Sequence, residues 1–315
     1  MAKEAVPGPL DKGKDVDRPP ALVTIPLMQQ IELKHIKVRP PNPFAGWERK
    51  THWAMLIMLT AGLLLVGTGL LVPEQSLARA HWPDALLLLS AAGWTLTSLS
   101  LQRPAQNVLL AAVVIGLLAG AVQAASAATA VPFGPIVYNK HNIGNFLFDS
   151  LPWALPVIWI VVLLNSRGVA RLMLRSRRRT ANYGFWVIGL TIVLVILFVM
   201  SFEPYATVVK QYWSWKPTKI RSDWYGTPWV SFLGWAVTTL LILLFVTPAL
   251  ISKSPTLYPP AYHPLILWEI LSLVFLAGEI VHHLRAATGL TGCQMLMVAL
   301  LSLLGSKSKG KQFRD

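Results

Sequence analysis

Charge is scarce in this chain, and acidic charge scarcest of all. Asp and Glu number 14 in 315 residues against 28 Lys and Arg, and the four charged types make up only 13%. A soluble domain of this size carries about 25%. With 54% hydrophobic residues, there is too much apolar side chain for a water-soluble globule to cover, and a bilayer is the simpler solvent. That excludes a soluble enzyme. Cysteine is nearly absent. Cys293 lies within an apolar run, so no intramolecular disulfide and no cysteine zinc site can form. It reads as a small buried apolar side chain. No Walker motif, GxGxxG fingerprint or HExxH is present. One Glu-x-x-His occurs, at Glu279 and His282, but a ferritin-type di-metal site needs two such motifs on different helices. No metal and no cofactor is therefore expected. No internal repeat supports an inverted-repeat transporter. A cleavable signal peptide is not expected either, because the first apolar run starts only near Trp53.

The net charge of +14 is not arranged for nucleic acid. The basic residues gather in the N-terminal segment, in the loop "NSRGVARLMLRSRRR" and in the C-terminal tail. That placement fits membrane topology and anionic headgroups. Three regions follow. Residues 1–50 form a cytoplasmic, largely disordered segment, rich in charge, Pro and Gly, in which "LVTIPLMQQIELKHIKV" suits either a short strand or an interfacial helix. Residues 51–305 form the transmembrane domain, and 306–315 a basic cytoplasmic tail.

Within the transmembrane domain, apolar segments run over 53–72, 84–101, 106–130, 151–165, 184–202, 229–251, 264–284 and 289–304. Several reach the roughly 20 residues that cross the hydrocarbon. The fourth and eighth are short, and the eighth also suits an interfacial position. The fold class is all-α: a polytopic membrane bundle of about eight helices, with seven as the alternative. Charge counting favours eight. With a cytoplasmic N-terminus, eight spans put 21 Lys and Arg inside and 7 outside, as the positive-inside rule expects. Seven spans reduce the split to 17 and 11. The expected location is a prokaryotic plasma membrane.

Two stretches do not read as ordinary connections. Residues 131–159 combine Pro132, Pro135, Pro152 and Pro156 with Tyr138, Lys140, His141 and Asp149. Proline breaks helices and leaves carbonyls without partners, which at membrane depth must be satisfied by neighbouring helices or water. A Pro-rich interfacial loop is the plainer reading. Residues 202–235 hold Trp213, Trp215, Trp224, Trp229 and Trp235 with Tyr205, Tyr212 and Tyr225, and the acids Glu203 and Asp223 sit among them. These rings suit an interfacial aromatic belt or a groove for a long apolar ligand, whose faces would also stabilise a carbocation. The seventh span carries Glu269, Glu279, His282 and His283. Ionisable groups in a span are costly and mark function by default. Glu279 and the histidines, however, lie near the helix end, where snorkelling is cheap, and a structural or interfacial role is the plainer reading for the histidines.

At these two stretches the chain resembles the membrane-integral carotenoid biosynthesis proteins, a family that includes carotenoid 1,2-hydratases of the γ-carotene and bisanhydrobacterioruberin type. The first family block, Glu-x-x-Gly-x-x-Thr-Gly-x-Pro-Phe-Gly-x-Tyr-x-Tyr, reads here "QAASAATAVPFGPIVY", followed by "SLPWALPVIW"; Thr129, Pro132, Phe133, Gly134, Tyr138, Pro152, Pro156 and Trp159 match. The second, more specific block reads "EPYATVVKQYWSWKP" and then "YGTPWVSFLGW"; Pro204, Trp213, Trp215, Tyr225, Gly226, Pro228, Phe232, Gly234 and Trp235 match. The resemblance covers roughly residues 50–305. It departs at Gln123, where the pattern has Glu. Ser126 and Ala130 replace glycines, Ile136 a tyrosine, Glu203 an Asp and Ser231 an Asn. If the family's acid stands at Gln123, this chain has lost that donor and is a divergent member.

The resemblance implies hydration of the terminal alkene of an acyclic ψ-end carotenoid. A carboxylic acid protonates the alkene, a tertiary cation forms and water adds. Such an acid must be protonated near neutral pH, and burial in low dielectric moves carboxyl groups that way. Acid candidates are Asp223, Glu203, Asp149 and Glu269, the first two leading because they flank the Trp-rich block. Tyr138, Tyr225 and Ser231 are candidates to orient water, and Trp213, Trp215 and Trp224 to line the polyene end. Trp235 and Gln123 complete the expected substrate-binding set. The expected partners are a carotenoid or other isoprenoid and membrane lipid. Two other readings stand beside this one: a non-catalytic carotenoid- or isoprenoid-binding protein, and a transporter.

Overall fold

A computed structural model describes residues 45–72, 80–148, 150–178, 180–217, 223–250 and 260–307, with residues 45–48 and 307 described by backbone alone. The expectations for residues 1–44, for Asp149 and for the tail from 308 fall outside these. Eight long helices appear: α1 (Ala45–Leu71), α2 (Trp82–Ser100), α3 (Ala105–Thr129), α5 (Ala154–Met173), α6 (Tyr183–Pro204), α7 (Trp229–Leu250), α8 (His263–Val281) and α9 (Arg285–Lys307), with a single-turn helix α4 (Lys140–Ile143) between α3 and α5. Seven are long and apolar enough to cross a membrane. The polytopic all-α bundle is therefore present, with one refinement. The helix that is too polar to count among them is α2, not the fourth or eighth segment.

The reason is where the polar residues point. On α2, Ser90, Thr95 and Ser98 are buried. Thr95 Oγ1 accepts from Asn165 Nδ2 at 2.9 Å, and Ser98 Oγ lies 3.2 Å from His52 Nδ1 on α1. These residues lower the helix's hydropathy without facing lipid. The same burial explains why the fourth segment was read too short. Asn165, Ser166 and Arg167 end the apolar run in sequence, yet all three are buried and the helix continues to Met173. α5 is the central helix, packed against α2, α3, α6, α8 and α9. Its most apolar stretch is 67% buried, against 22–50% for the other spans. A polar triplet there meets protein rather than hydrocarbon. The eighth segment likewise extends back to Arg285 and forms a 23-residue helix. Cys293, expected to be buried, is exposed on it.

Local chemistry places the helix ends. α2 begins with proline in its first turn and Asp84 beside it, a pairing suited to the free N–H groups and positive dipole there. α3 stops at Ala130, whose φ of 63° is left-handed, just before the Pro-rich block. α6 runs into Pro204 and continues as one π-helical turn, Tyr205–Val209, a local widening found often at functional sites.

Three short two-stranded sheets are present among the described residues. β1 (Ile136–Tyr138) pairs antiparallel with β4 (Trp213–Trp215), with Tyr138 opposite Trp213 and Ile136 opposite Trp215. β2 (Phe146–Leu147) pairs with β3 (Leu151–Pro152), and β5 (Asp223–Trp224) with β6 (Thr227–Pro228). The β1–β4 ladder joins the Pro-rich and Trp-rich blocks at one end of the bundle. The joint is packed close. Trp159 stacks on Trp235 at 4.1 Å and Phe133 leans on both. Gly234 permits this approach, because a Cβ there would meet Phe133 Cδ1 and the Pro132 carbonyl at 2.8 Å.

A candidate site around Glu203

The penultimate residue of α6 is Glu203, and it is 1% exposed. Three donors converge on its Oε2: Thr227 Oγ1 at 3.1 Å, Trp213 Nε1 at 3.2 Å and Trp215 Nε1 at 3.3 Å. None of these three engages Oε1. The convergence follows from the local fold. β4 carries Trp213 and Trp215 on the same face, as alternate strand residues must be. The β5–β6 hairpin delivers Thr227. That hairpin turns on Tyr225 and Gly226, both at positive φ (51° and 83°), the pattern of a two-residue turn matched to strand twist.

Trp213 also belongs to a cavity. A cleft of about 140 Å³ lies among α2, α5, α6 and α8. Its lining includes Phe198, Phe202, Phe275, Tyr205, Trp153 and Trp213, together with the polar residues His81, Asp84, Asn142 and Tyr212. Glu203 does not line the cleft itself. Its chain neighbour Phe202 and its hydrogen-bond donor Trp213 do, so one indole connects carboxyl and cavity. Lys210 Nζ pairs with the lining residue Asp84 at Oδ2, 3.0 Å away. Burial, and then the Asp84 charge, pushes the Tyr212 hydroxyl well above the ordinary tyrosine range.

Tyr138 stands across the β1–β4 ladder. Its ring meets Trp213 edge-on at 6.4 Å, and its buried hydroxyl has no hydrogen-bond partner among the described residues. Burial raises its pKa, and the nearby charge of Glu203 raises it further. This phenol therefore stays neutral and faces the Glu203 region with its hydrogen bond unspent.

The remaining sequence candidates are dispersed. Asp223 is exposed and accepts from the Gly226 N–H at 3.3 Å within its own hairpin. Glu269, in mid-α8, is half-buried with an unpartnered Oε1. Trp224 donates to the Met200 carbonyl at 2.8 Å. The Tyr225 hydroxyl accepts from the Ala287 N–H at 3.2 Å, tying the hairpin to α9. Trp235 belongs to the packed joint with Trp159. Ser231 and Gln123 are buried on α7 and α3, and Ser231 Oγ has no partner. Two features escaped the sequence reading. Thr227 was hidden inside "YGTP". The partner of Glu279 was the other: despite its place near the helix end, Glu279 is fully buried and accepts from Thr291 Oγ1 at 3.0 Å, whereas His282 and His283 are exposed.

A sequence profile described as "Carotenoid biosynthesis protein" matches residues 82–300. The chain belongs to this family. The match begins at α2 and ends within α9, so it includes both blocks joined by the β1–β4 ladder. Among curated proteins, the bisanhydrobacterioruberin hydratase of Haloarcula japonica is 26% identical over 137 residues, 43% of this chain and 44% of that protein. The alignment thus spans less than half of either chain. No solved structure matches. As a member of the carotenoid biosynthesis family, the chain has a carotenoid-related role, and the buried carboxyl beside an aromatic cleft is its most developed chemical feature.

Proposed function

We propose that this protein is a carotenoid hydratase of the membrane, adding water across the terminal double bond of an acyclic ψ-end carotenoid, with Glu203 as the proton donor. The observation that carries this reading is the convergence of three donors on one oxygen of a fully buried carboxyl. Those donors hold the group in one orientation and leave Oε1 to carry the proton. They are also aimed at the atom where negative charge grows as the proton leaves. Such pre-placed donors stabilise a developing anion without reorganisation, and hydrogen bonds strengthen as their acceptor becomes charged.

The apolar cleft takes the chain end of the polyene. The Trp213 indole, which keeps its hydrogen bond to Oε2, guides the terminal alkene to Oε1. The alkene π pair takes the proton, forming a C–H bond and a tertiary cation, and leaves Glu203 as carboxylate. Aromatic faces around the cleft stabilise the cation. The Tyr138 hydroxyl positions a water, whose oxygen bonds to the cationic carbon. The water's surplus proton returns to Glu203. The product is a tertiary alcohol, the acid is regenerated, and no oxidant, reductant or cofactor is consumed.

In the membrane, the positive-inside count supports a cytoplasmic N-terminus. The Glu203 region then faces the extracytoplasmic side, where a membrane-dissolved chain end meets water. Expression in a host accumulating acyclic ψ-end carotenoids tests the proposal. A product heavier by one water supports it, and its absence with the protein confirmed in the membrane refutes it. A second reading, carotenoid binding without turnover, is favoured by Gln123, which stands where the family pattern has an acid. Pigment that co-purifies unchanged would support that reading instead.

A further inference from the structure

A second buried polar cluster lies between α6, α8 and α9, apart from the donors that hold Glu203. Its members are Ser201, Glu279, Thr291 and Gln294, all 2% exposed or less. Thr291 Oγ1 lies 3.0 Å from Glu279 Oε1 and 2.7 Å from Ser201 Oγ. Gln294 Nε2 donates to the same Ser201 Oγ. Thr291 and Gln294 are three residues apart and share a face of α9. A turn of three residues, His282–Leu284, joins α8 to α9 and keeps Glu279 beside them.

The cluster is short of donors. Among the described residues, Glu279 Oε2 and Gln294 Oε1 are both buried acceptors without partners. Burying an unpaired acceptor in low dielectric costs free energy, and an unpaired carboxylate costs most. Oxygen is the only ligand type at hand: carboxylate, two hydroxyls and an amide carbonyl. That set suits a hard cation and offers nothing to a soft one. One carboxylate balances one positive charge, whereas a divalent ion would leave a surplus within the bundle. The close spacing of the oxygens favours a small ion. Rotation of the Gln294 amide would also turn its oxygen towards Ser201, an assignment that depends on what occupies the site.

We propose that Ser201, Glu279, Thr291 and Gln294 bind a single sodium ion that ties α9 to α6 and α8. The ion satisfies both unpartnered acceptors at once. Its role is to hold the last helix on the bundle, and the inference does not rest on the hydratase reading.

The test is thermal unfolding of the detergent-solubilised full chain at constant ionic strength, with sodium replacing N-methylglucamine from about 1 to about 100 mM. The expected result is a saturable rise of a few degrees in Tm, weaker with potassium, and lost in Glu279→Gln and in Thr291→Val. Direct binding of radioactive sodium should be lost in the same variants. Equal Tm values in sodium, potassium and N-methylglucamine overturn the proposal and leave the carboxyl occupied by a proton alone. Should Glu279→Gln fail to fold, Ser201→Ala keeps the question open to decision. It removes one ligand but not the charge, and must weaken sodium binding at least severalfold. Sodium binding unchanged in Ser201→Ala and Thr291→Val also overturns the site. None of these readouts involves carotenoid turnover.

Discussion

Replacing Glu203 separates two things the carboxyl does, holding donors and giving up a proton. In Glu203→Gln the amide oxygen can take the place of Oε2, keeping Thr227 Oγ1, Trp213 Nε1 and Trp215 Nε1 satisfied, while the amide nitrogen occupies the Oε1 position and has no acidic proton to give. Stability should change little, and turnover should fall by the worth of a general acid, about 10²–10⁴-fold. Glu203→Ala removes the acceptor altogether. The Thr227 hydroxyl can rotate to another partner, but the two indole N–H groups cannot. At about 1–3 kcal/mol for each unsatisfied buried donor, the cost is about 2–6 kcal/mol. Trp215 contributes the smaller share, because it is only half-buried whereas Trp213 is 3% exposed. The assay pairs chromatography with mass detection of hydrated carotenoid and a thermal melt of the same preparation. Wild-type conversion by Glu203→Gln would refute Glu203 as the donor. A melt as low for Gln as for Ala would refute the account of the three hydrogen bonds.

Four further outcomes are expected. Asp223→Asn should keep activity within about twofold, since the exposed acid serves its own turn; loss of product would move the donor to the hairpin. Tyr138→Phe should leave the melt unchanged, because its hydroxyl has no partner, yet lower turnover about 2–10-fold through loss of one water contact. Gly234→Ala should destabilise by about 1–3 kcal/mol through overpacking against Phe133 and the Pro132 carbonyl, read as a lower melting temperature. Tyr138 and Tyr212 both have raised pKa values. Their neutral forms stabilise the fold below about pH 10, and that contribution is lost as pH rises above it. An alkaline titration should show tyrosinate from these residues later than from free tyrosine, together with falling stability.

The bundle was legible because hydrocarbon imposes one simple demand on a sequence. Runs of apolar residues had to be helices, and their order survives in the structure. The errors fell where that demand is relaxed. Asn165, Ser166 and Arg167 look like the end of a span, but α5 is shielded by five neighbouring helices, so polarity there says nothing about lipid. Ser90, Thr95 and Ser98 lower the hydropathy of α2 for the same reason. Cys293 shows the converse. Inside an apolar run it was read as buried, yet it is exposed, because membrane helices turn apolar side chains outward as readily as inward.

Choosing among the acids required information that no local pattern holds. Glu203 and Asp223 flank the same tryptophans and are alike in chemistry and context. What separates them is which one the strands close upon. Tyr225 and Gly226 fold the hairpin back so that Thr227 faces α6, while Asp223 stays outside as the turn's acceptor. The ladder that sets Tyr138 opposite Trp213 brings together residues 75 positions apart. The ladder is long-range, and so is the contact of Thr227 with Glu203, 24 positions away; the glycines and prolines near them are visible in sequence only as breaks. The resemblance marked these breaks as meaningful without saying what they bring together. The carboxyl that emerges is the one whose three donors come from two separate strand segments, an arrangement that costs chain entropy to assemble and that an exposed turn acid such as Asp223 does not require.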